Sequence, residues 1–344
     1  MANQRITSNP MISVELISLF KHQLSASNLK PHEMCLIITD TAFNPVVADA
    51  CFGAADDLGA EAIKLVIPYG KPIPKKSLRA AMLEADLIVY PTTHTLHYSD
   101  EMREFLSKGG RAMMAVQPLH AMDRLRADEA VIRRAKVGAA YLEKGKTIHI
   151  TSPYGTDLTM EKNGRPALAT YGVADEPGHL DFWGGGMVQT AQLEGTMEGT
   201  LVLNTGDLIF MLARYIEHPV EIVFKEGRIV EIKGNHLDAF MLRHYLHTFN
   251  DEKALMAGHM AWGVDRRAEW LSQSIQYSDP GSSAADSESY YGNIQIEIGS
   301  NDDVAFKGKN RSKNHLGLCC LDSSLTLDGT KIIEQGKFVP KDLQ

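Results

Sequence analysis

Between residues 34 and 116 apolar runs alternate with helical patterns, and no other feature of the chain restricts its fold as tightly. MCLIITD reads as a strand, the Ala-rich stretch from Asn44 as a helix and AIKLVI as a second strand. Lys76–Leu83 then reads as a helix, DLIVY as a strand, Asp100–Leu106 as a helix and RAMMAV as a fourth strand. Strands separated by helices of this length are joined by crossovers, and crossovers build a parallel sheet. Residues 1–145 are therefore expected to form an N-terminal α/β domain with an open, mostly parallel sheet.

Loops at the carboxyl ends of such strands gather ligands. His94 and His97, in TTHTLHYS directly after DLIVY, stand at that position and are candidate proton donors or acceptors, with Ser99 or Asp100 placed to cap the next helix. A single histidine at such a junction is ordinarily structural; two of them raise the functional reading, and spacing does not choose between them. ITDTAFNP, after the first strand, lacks the spaced glycines of a dinucleotide loop, which argues against a nicotinamide cofactor.

From Lys146 the texture changes. KTIHITS, DLTMEKNG, GTLVLN, VEIVFKEGRIVEIKG and SSLTLDGTKIIEQGKF are β-rich, with Asn163-Gly164, Glu226-Gly227 and Asp328-Gly329 as turn signals and His236–Phe249 as the clearest helix. Residues 146–344 are expected to form a C-terminal α+β domain rich in antiparallel strands. Ser278–Ser289, rich in Ser, Asp and Gly, reads as a loop that connects rather than as a lid.

Bulk properties exclude several classes. A length of 344 residues with 44% hydrophobic content suits two ordinary domains. The net charge of −8, with Lys75–Lys76 and Arg133–Arg134 as isolated basic pairs, argues against nucleic acid as a partner. No apolar run approaches the roughly 20 residues of a membrane span, and MANQRITSNP lacks the basic-then-apolar order of a signal peptide. Cys35, Cys51, Cys319 and Cys320 show neither metal-ligand nor disulfide spacing; they read as small buried hydrophobes in a reducing cytoplasm.

Three further segments carry candidate chemistry. EPGHLDFWGGGMVQTA places His179, Asp181 and Trp183 beside three consecutive glycines, a composition that suits a polar pocket for an aromatic ligand or, more plainly, a tight bend with a capping histidine. His259, in AGHMAWGVD, reads by itself as a helical histidine packed on Trp262, and His315, in SKNHLGLCCLDSSLTLDG, as the start of a buried strand. Neither alone is evidence of a metal. A histidine followed two residues later by a carboxylate on one strand face is a natural chelate, but that second position is Gly317.

Taken in order, YGVADEPGHLDFWGGGMV, the EGT-EGTLVL pair, GHMAWG, YYGNIQIEIGSN and SKNHLGLCCLDSSLTLDG resemble the 2,5-dihydroxypyridine 5,6-dioxygenases, ring-opening enzymes of bacterial nicotinic acid breakdown. These are distant relatives of the metal-dependent aminopeptidase T family. The likeness runs from TTHTLHYS to the C-terminal hairpin and rests on several short motifs. It implies Fe(II) held by two histidines and an aspartate, with His259 and His315 as the histidines and Gly317 at the aspartate's position. It also implies a small hydroxylated N-heteroaromatic substrate, O₂ as co-substrate and a homo-oligomer. His94 or His97 and His179 would then handle protons, and Asp181 and Trp183 would contact the ring.

For the missing carboxylate, Asp322 lies roughly 23 Å along an extended strand from His315 and on the opposite face. Glu297 and Asp181 are the acidic candidates elsewhere in the chain, and a two-histidine site completed by water or substrate, or by a carboxylate borrowed from a neighbouring subunit, stays open. The aminopeptidase branch matches less well, since its glutamates fall within Gly184–Val188 and on His259. A metal-dependent hydrolase, and a homologue that has lost its metal and binds a small molecule, stay open as alternatives.

Overall fold

In a computed structural model, which describes residues 10–94, 96, 97, 99–274, 286–302 and 305–344, the alternation of the first third produces a five-stranded parallel sheet. Its order is Glu61–Ile67, Met34–Asp40, Leu87–Tyr90, Arg111–Met114 and Leu180–Phe182. The central strands are buried on both faces, which is why they read as continuous apolar runs. Cys35, Ile37, Leu87, Val89 and Met113 face one core with Phe20, Val47 and Cys51, whereas Leu36, Ile38, Ile88 and Tyr90 face another with Leu78, Met82 and Phe105. The helix Pro45–Asp57 starts where Asn44 accepts a hydrogen bond from the Val46 N–H at 3.1 Å, with proline at its first position. Ser99 caps Asp100–Ser107 in the same way through the Met102 N–H.

The chain forms two compact units, and they are interleaved in sequence. Among the described residues the first comprises the chain up to Asp128 together with Tyr171–Gly185; the second comprises 129–170, 186–274 and 286–344. A single boundary at 145 was expected. The difference arises because Leu180–Phe182 pairs in parallel with Arg111–Met114, while the helix Glu129–Lys144 packs on Met187–Thr190. Gly138 makes that packing close: a Cβ there would lie 2.7 Å from the Val188 side chain.

The second unit holds two antiparallel sheets with the helices Glu129–Lys144 and Leu237–Thr248. One has eight strands, centred on Asp157–Glu161 and Thr147–Thr151. The other has seven, in the order Arg214–Tyr215, Leu208–Ile209, His315–Cys320, Ile294–Gly299, Ala257–Gly263, Met187–Thr190 and Leu168–Thr170. At Glu226-Gly227 and Asp328-Gly329 both residues are left-handed, with φ between 48° and 79°, the geometry that two-residue hairpin turns require. Of the loop expected at Ser278–Ser289, residues 278–285 lie outside the described residues, and Asp286–Ser289 is a short helix.

AGHMAWG is a strand, not the helical segment expected for His259. All seven of its residues are buried, so both faces are apolar and the sequence shows no period that separates strand from helix. Cys319 and Cys320 are buried free thiols on one strand, as expected, and Cys35 and Cys51 are buried in the first unit.

One buried carboxyl fastens the far end of the His315–Cys320 strand. Asp207 accepts hydrogen bonds from the Leu321 N–H at 2.8 Å and the Asn204 N–H at 2.7 Å. Burial outweighs those donors and pushes its carboxyl up to about 7. The folded state thus keeps a proton that the unfolded chain loses near pH 3.8, so stability falls as pH rises from about 4 to about 7 and then levels off. The loss approaches about 4 kcal/mol at most. Thermal unfolding across pH 4–8 should show this decline in the wild type and a flatter profile in Asp207→Asn; parallel profiles would contradict it.

Candidate metal centre and its surroundings

Strand pairing gathers the candidate ligands. Residues opposite one another in an antiparallel pair share a face, and so do residues two apart on a strand. Glu297 lies opposite Gly317, and Gly299 opposite His315, so Glu297, His315 and Gly317 belong to one face. On the other side of the Ile294–Gly299 strand, Ala257 pairs with Ile298 and Met260 with Ile296, an irregularity that sets Gly258 and His259 together across from Glu297. Such bulges re-aim side chains. Gly258 permits it, since a Cβ there would meet three backbone carbonyl oxygens at 3.1–3.3 Å.

The result is a tight group in which one ligand atom from each of His259, Glu297 and His315 lies within 4.8 Å of the others. His315 Nε2 is 3.9 Å from Glu297 Oε2, and the two imidazole centroids are 5.3 Å apart. Phe306 stacks on His259 at 4.5 Å and fixes the plane of its ring. His259 and Glu297 are buried, and His315 is half-buried. Burial, and then the neighbouring His315, hold His259 well below the usual imidazole range; burial lowers His315 as well. Burial, and then Glu288, push the Glu297 carboxyl well above its usual range.

Burial thus favours the neutral form of both rings, the form in which histidine binds metals. His259 Nδ1 is buried with no hydrogen-bond partner among the described residues. Two imidazoles and one carboxylate on one face are the donor set of mononuclear non-haem iron sites. The residues present fit such an ion. Sequence reasoning named Glu297 only as a possibility and missed Phe306. The available signal was an acidic residue inside IQIEIG, a strand buried at all six positions.

A second cluster, His218, His236 and Asp238, is organised differently. The Arg214 guanidinium is 2.7 Å from Asp238 Oδ1, and the backbone N–H groups of His218 and Glu217 donate to Oδ2 at 2.9 and 3.2 Å. A cation already neutralises that carboxylate.

The other expected site residues belong to the first unit. The sheet reverses its order of addition between Met34–Asp40 and Leu87–Tyr90, the switch point where ligand crevices form. There Asp40 Oδ2 accepts from Thr92 Oγ1 at 2.7 Å, the Thr93 N–H at 2.6 Å and Thr93 Oγ1 at 2.9 Å. Burial alone would raise the Asp40 carboxyl, but these donors and the Ala42 N–H bring it below its usual range. His94 follows, its backbone N–H donating to Thr92 Oγ1 and its Nε2 buried without a partner among the described residues. His97 is half-buried in the same loop.

His179 sits between two carboxylates, with Nδ1 3.4 Å from Asp175 and Nε2 3.3 Å from Asp181. Burial would lower its pKa, and Asp181 followed by Asp175 more than offsets this and raises it. Asp181 is buried and also accepts from the backbone N–H groups of Tyr171, Gly172 and Phe182 at 2.7–3.1 Å. Its acceptor capacity is spent within the fold. Trp183 is likewise a core residue: it is fully buried, its indole N–H donates to the Met122 carbonyl at 2.9 Å, and its ring meets Phe20 edge-on at 4.8 Å. No face of the indole is open for the stacking role expected of it.

Comparison with known proteins identifies the family and the fold. The family model for 2,5-dihydroxypyridine 5,6-dioxygenase matches residues 15–340. A 2,5-dihydroxypyridine 5,6-dioxygenase of Pseudomonas putida is 27% identical over 347 residues, covering 96% of this chain and 97% of its own length. The solved structure of 2,5-dihydroxypyridine dioxygenase from Pseudomonas putida KT2440 superposes with a TM-score of 0.90 at 26% identity, over 96% of this chain and 99% of that one. Wild-type AmpT from Thermus thermophilus shares the fold, with a TM-score of 0.61 at 15% identity over 96% of this chain and 100% of that one. The chain belongs to the 2,5-dihydroxypyridine 5,6-dioxygenase family and is an oxidoreductase of the ring-cleaving dioxygenase type.

Proposed function

We propose that this enzyme opens the ring of a small hydroxylated N-heteroaromatic compound of the 2,5-dihydroxypyridine kind with O₂, using Fe(II) held by His259 and His315. The observation that carries the reading is the convergence of these two imidazoles, 56 residues apart, on one sheet face beside the Glu297 carboxyl. When bound, Fe(II) supplies open coordination positions and a redox couple able to activate O₂ toward an electron-rich ring. The protein's own contribution is orientation of the ligand side chains. Phe306 stacks on the His259 ring and holds its plane, and buried apolar strand residues surround His259 and Glu297.

For proton handling the reading assigns His94 or His97, and favours His94 for its buried, unpartnered Nε2. His179, held between Asp175 and Asp181, is proposed as a positioning residue for the Tyr171–Gly172 backbone, which the same Asp181 binds. The four buried free thiols are consistent with a reducing compartment. Among the described residues no helix is long and apolar enough to cross a membrane.

Purified protein loaded anaerobically with Fe(II) should consume one O₂ per 2,5-dihydroxypyridine, with loss of the aromatic absorbance. His259→Ala and His315→Ala should each lower both iron content and turnover by at least about a hundredfold. Turnover of the same compound without O₂ would replace the reading with a hydrolase, and full activity in iron-free protein would remove the metal from it. His94→Ala should keep its iron and lose about 10²–10⁴-fold in kcat; unchanged kcat in this variant, with a loss in His97→Ala, would transfer the role to His97.

A further inference from the structure

Resting on the metal-dependent reading above, we propose that Glu297 is the third protein ligand, reaching the ion from the neighbouring strand through space that Gly317 leaves open. A chelate built on the His315 strand alone would take its carboxylate from residue 317, two positions along the same face. That residue has no side chain. Glu297 stands directly across from it in the strand pairing. Side chains of directly opposed residues start about 4.5–5.5 Å apart, a gap that the glutamate chain spans.

The space is shared closely. A Cβ built on Gly317 would lie 2.8 Å from Glu297 Oε1 and 3.2 Å from Oε2, so the carboxylate occupies the volume in which a side chain at 317 would begin. A side chain at 317 and the present Glu297 conformation exclude one another. The same carboxylate lies 3.9 Å from His315 Nε2 and belongs to the group of donor atoms within 4.8 Å. Two other carboxylates weighed from the sequence, Asp322 and Asp181, are engaged elsewhere. Asp322 lies beyond the end of the strand in a left-handed conformation, φ 52°, and accepts a hydrogen bond from the Tyr154 hydroxyl at 3.1 Å. Asp181 is bound to three backbone N–H groups in the first unit.

Glycine at 317 and glutamate at 297 thus act as one device: the strand that carries the second histidine offers no carboxylate, and the adjacent strand supplies it.

Metal affinity tests this independently of turnover. Co(II) and Fe(II) are titrated anaerobically into the full-length apoprotein, followed by calorimetry and, for Co(II), by its visible ligand-field bands. Glu297→Gln, which keeps the side-chain shape, should bind each ion at least about a hundredfold more weakly than the wild type, with altered Co(II) bands. Glu297→Ala should be equally weak, and the double variant Glu297→Ala with Gly317→Asp should regain at least about tenfold of the lost affinity by returning the carboxylate to the His315 strand. Wild-type affinity in Glu297→Gln, or a double variant no tighter than Glu297→Ala alone, would overturn the proposal. The first of these results would leave the dioxygenase reading standing if the wild type still consumed O₂. Loss of ion binding in Glu297→Gln, in a wild type that binds iron but opens no ring, would do the reverse.

Discussion

The centre depends on the register between Ile294–Gly299 and its two neighbours. Glu297 opposite Gly317 and across from the Gly258–His259 irregularity brings three polar side chains from three strands onto one face. A shift of one residue in either pairing would send a whole strand's side chains to the other side of the sheet. Burying two imidazoles and a carboxyl together is costly in an apolar core unless each finds a partner. A divalent ion would satisfy all three at once, which would give a physical reason for their being gathered.

The first unit handles its buried carboxylates in the opposite manner. Asp40 and Asp181 are surrounded by backbone N–H and hydroxyl donors, so each is satisfied without any added cation. Asp238 in the second unit is satisfied by Arg214 together with two N–H groups. Glu297 differs from these in its setting, with two imidazoles beside it. The contrast separates carboxylates that hold the fold together from one available to a ligand.

Part of this was legible before any tertiary information. The parallel sheet announced itself because strands buried on both faces are written as unbroken apolar runs between helical segments, as in MCLIITD and DLIVY. Hairpins in the second unit were marked by Glu226-Gly227 and Asp328-Gly329, whose residues accept left-handed geometry. The same burial misled at AGHMAWG, where a strand apolar on both sides carries no period, and at Trp183, whose glycine-rich context suggested a pocket although the indole is held in the core. The interleaving of the two units was hidden as well, since it turns on Leu180–Phe182 joining a sheet formed some 70 residues earlier.

From residues alone came the α/β character of the first part, the β-rich character of the second, the family, and two histidines suited to a metal. Those follow from local composition, period and motif, which neighbouring residues in the chain carry. Tertiary structure decided that the histidines meet, that Glu297 stands where residue 317 offers nothing, and that His179 and Asp181 bind one another. Each is a contact across strands or between distant loops. Cross-strand neighbours are set by hydrogen-bond register, a long-range property that no stretch of sequence contains by itself.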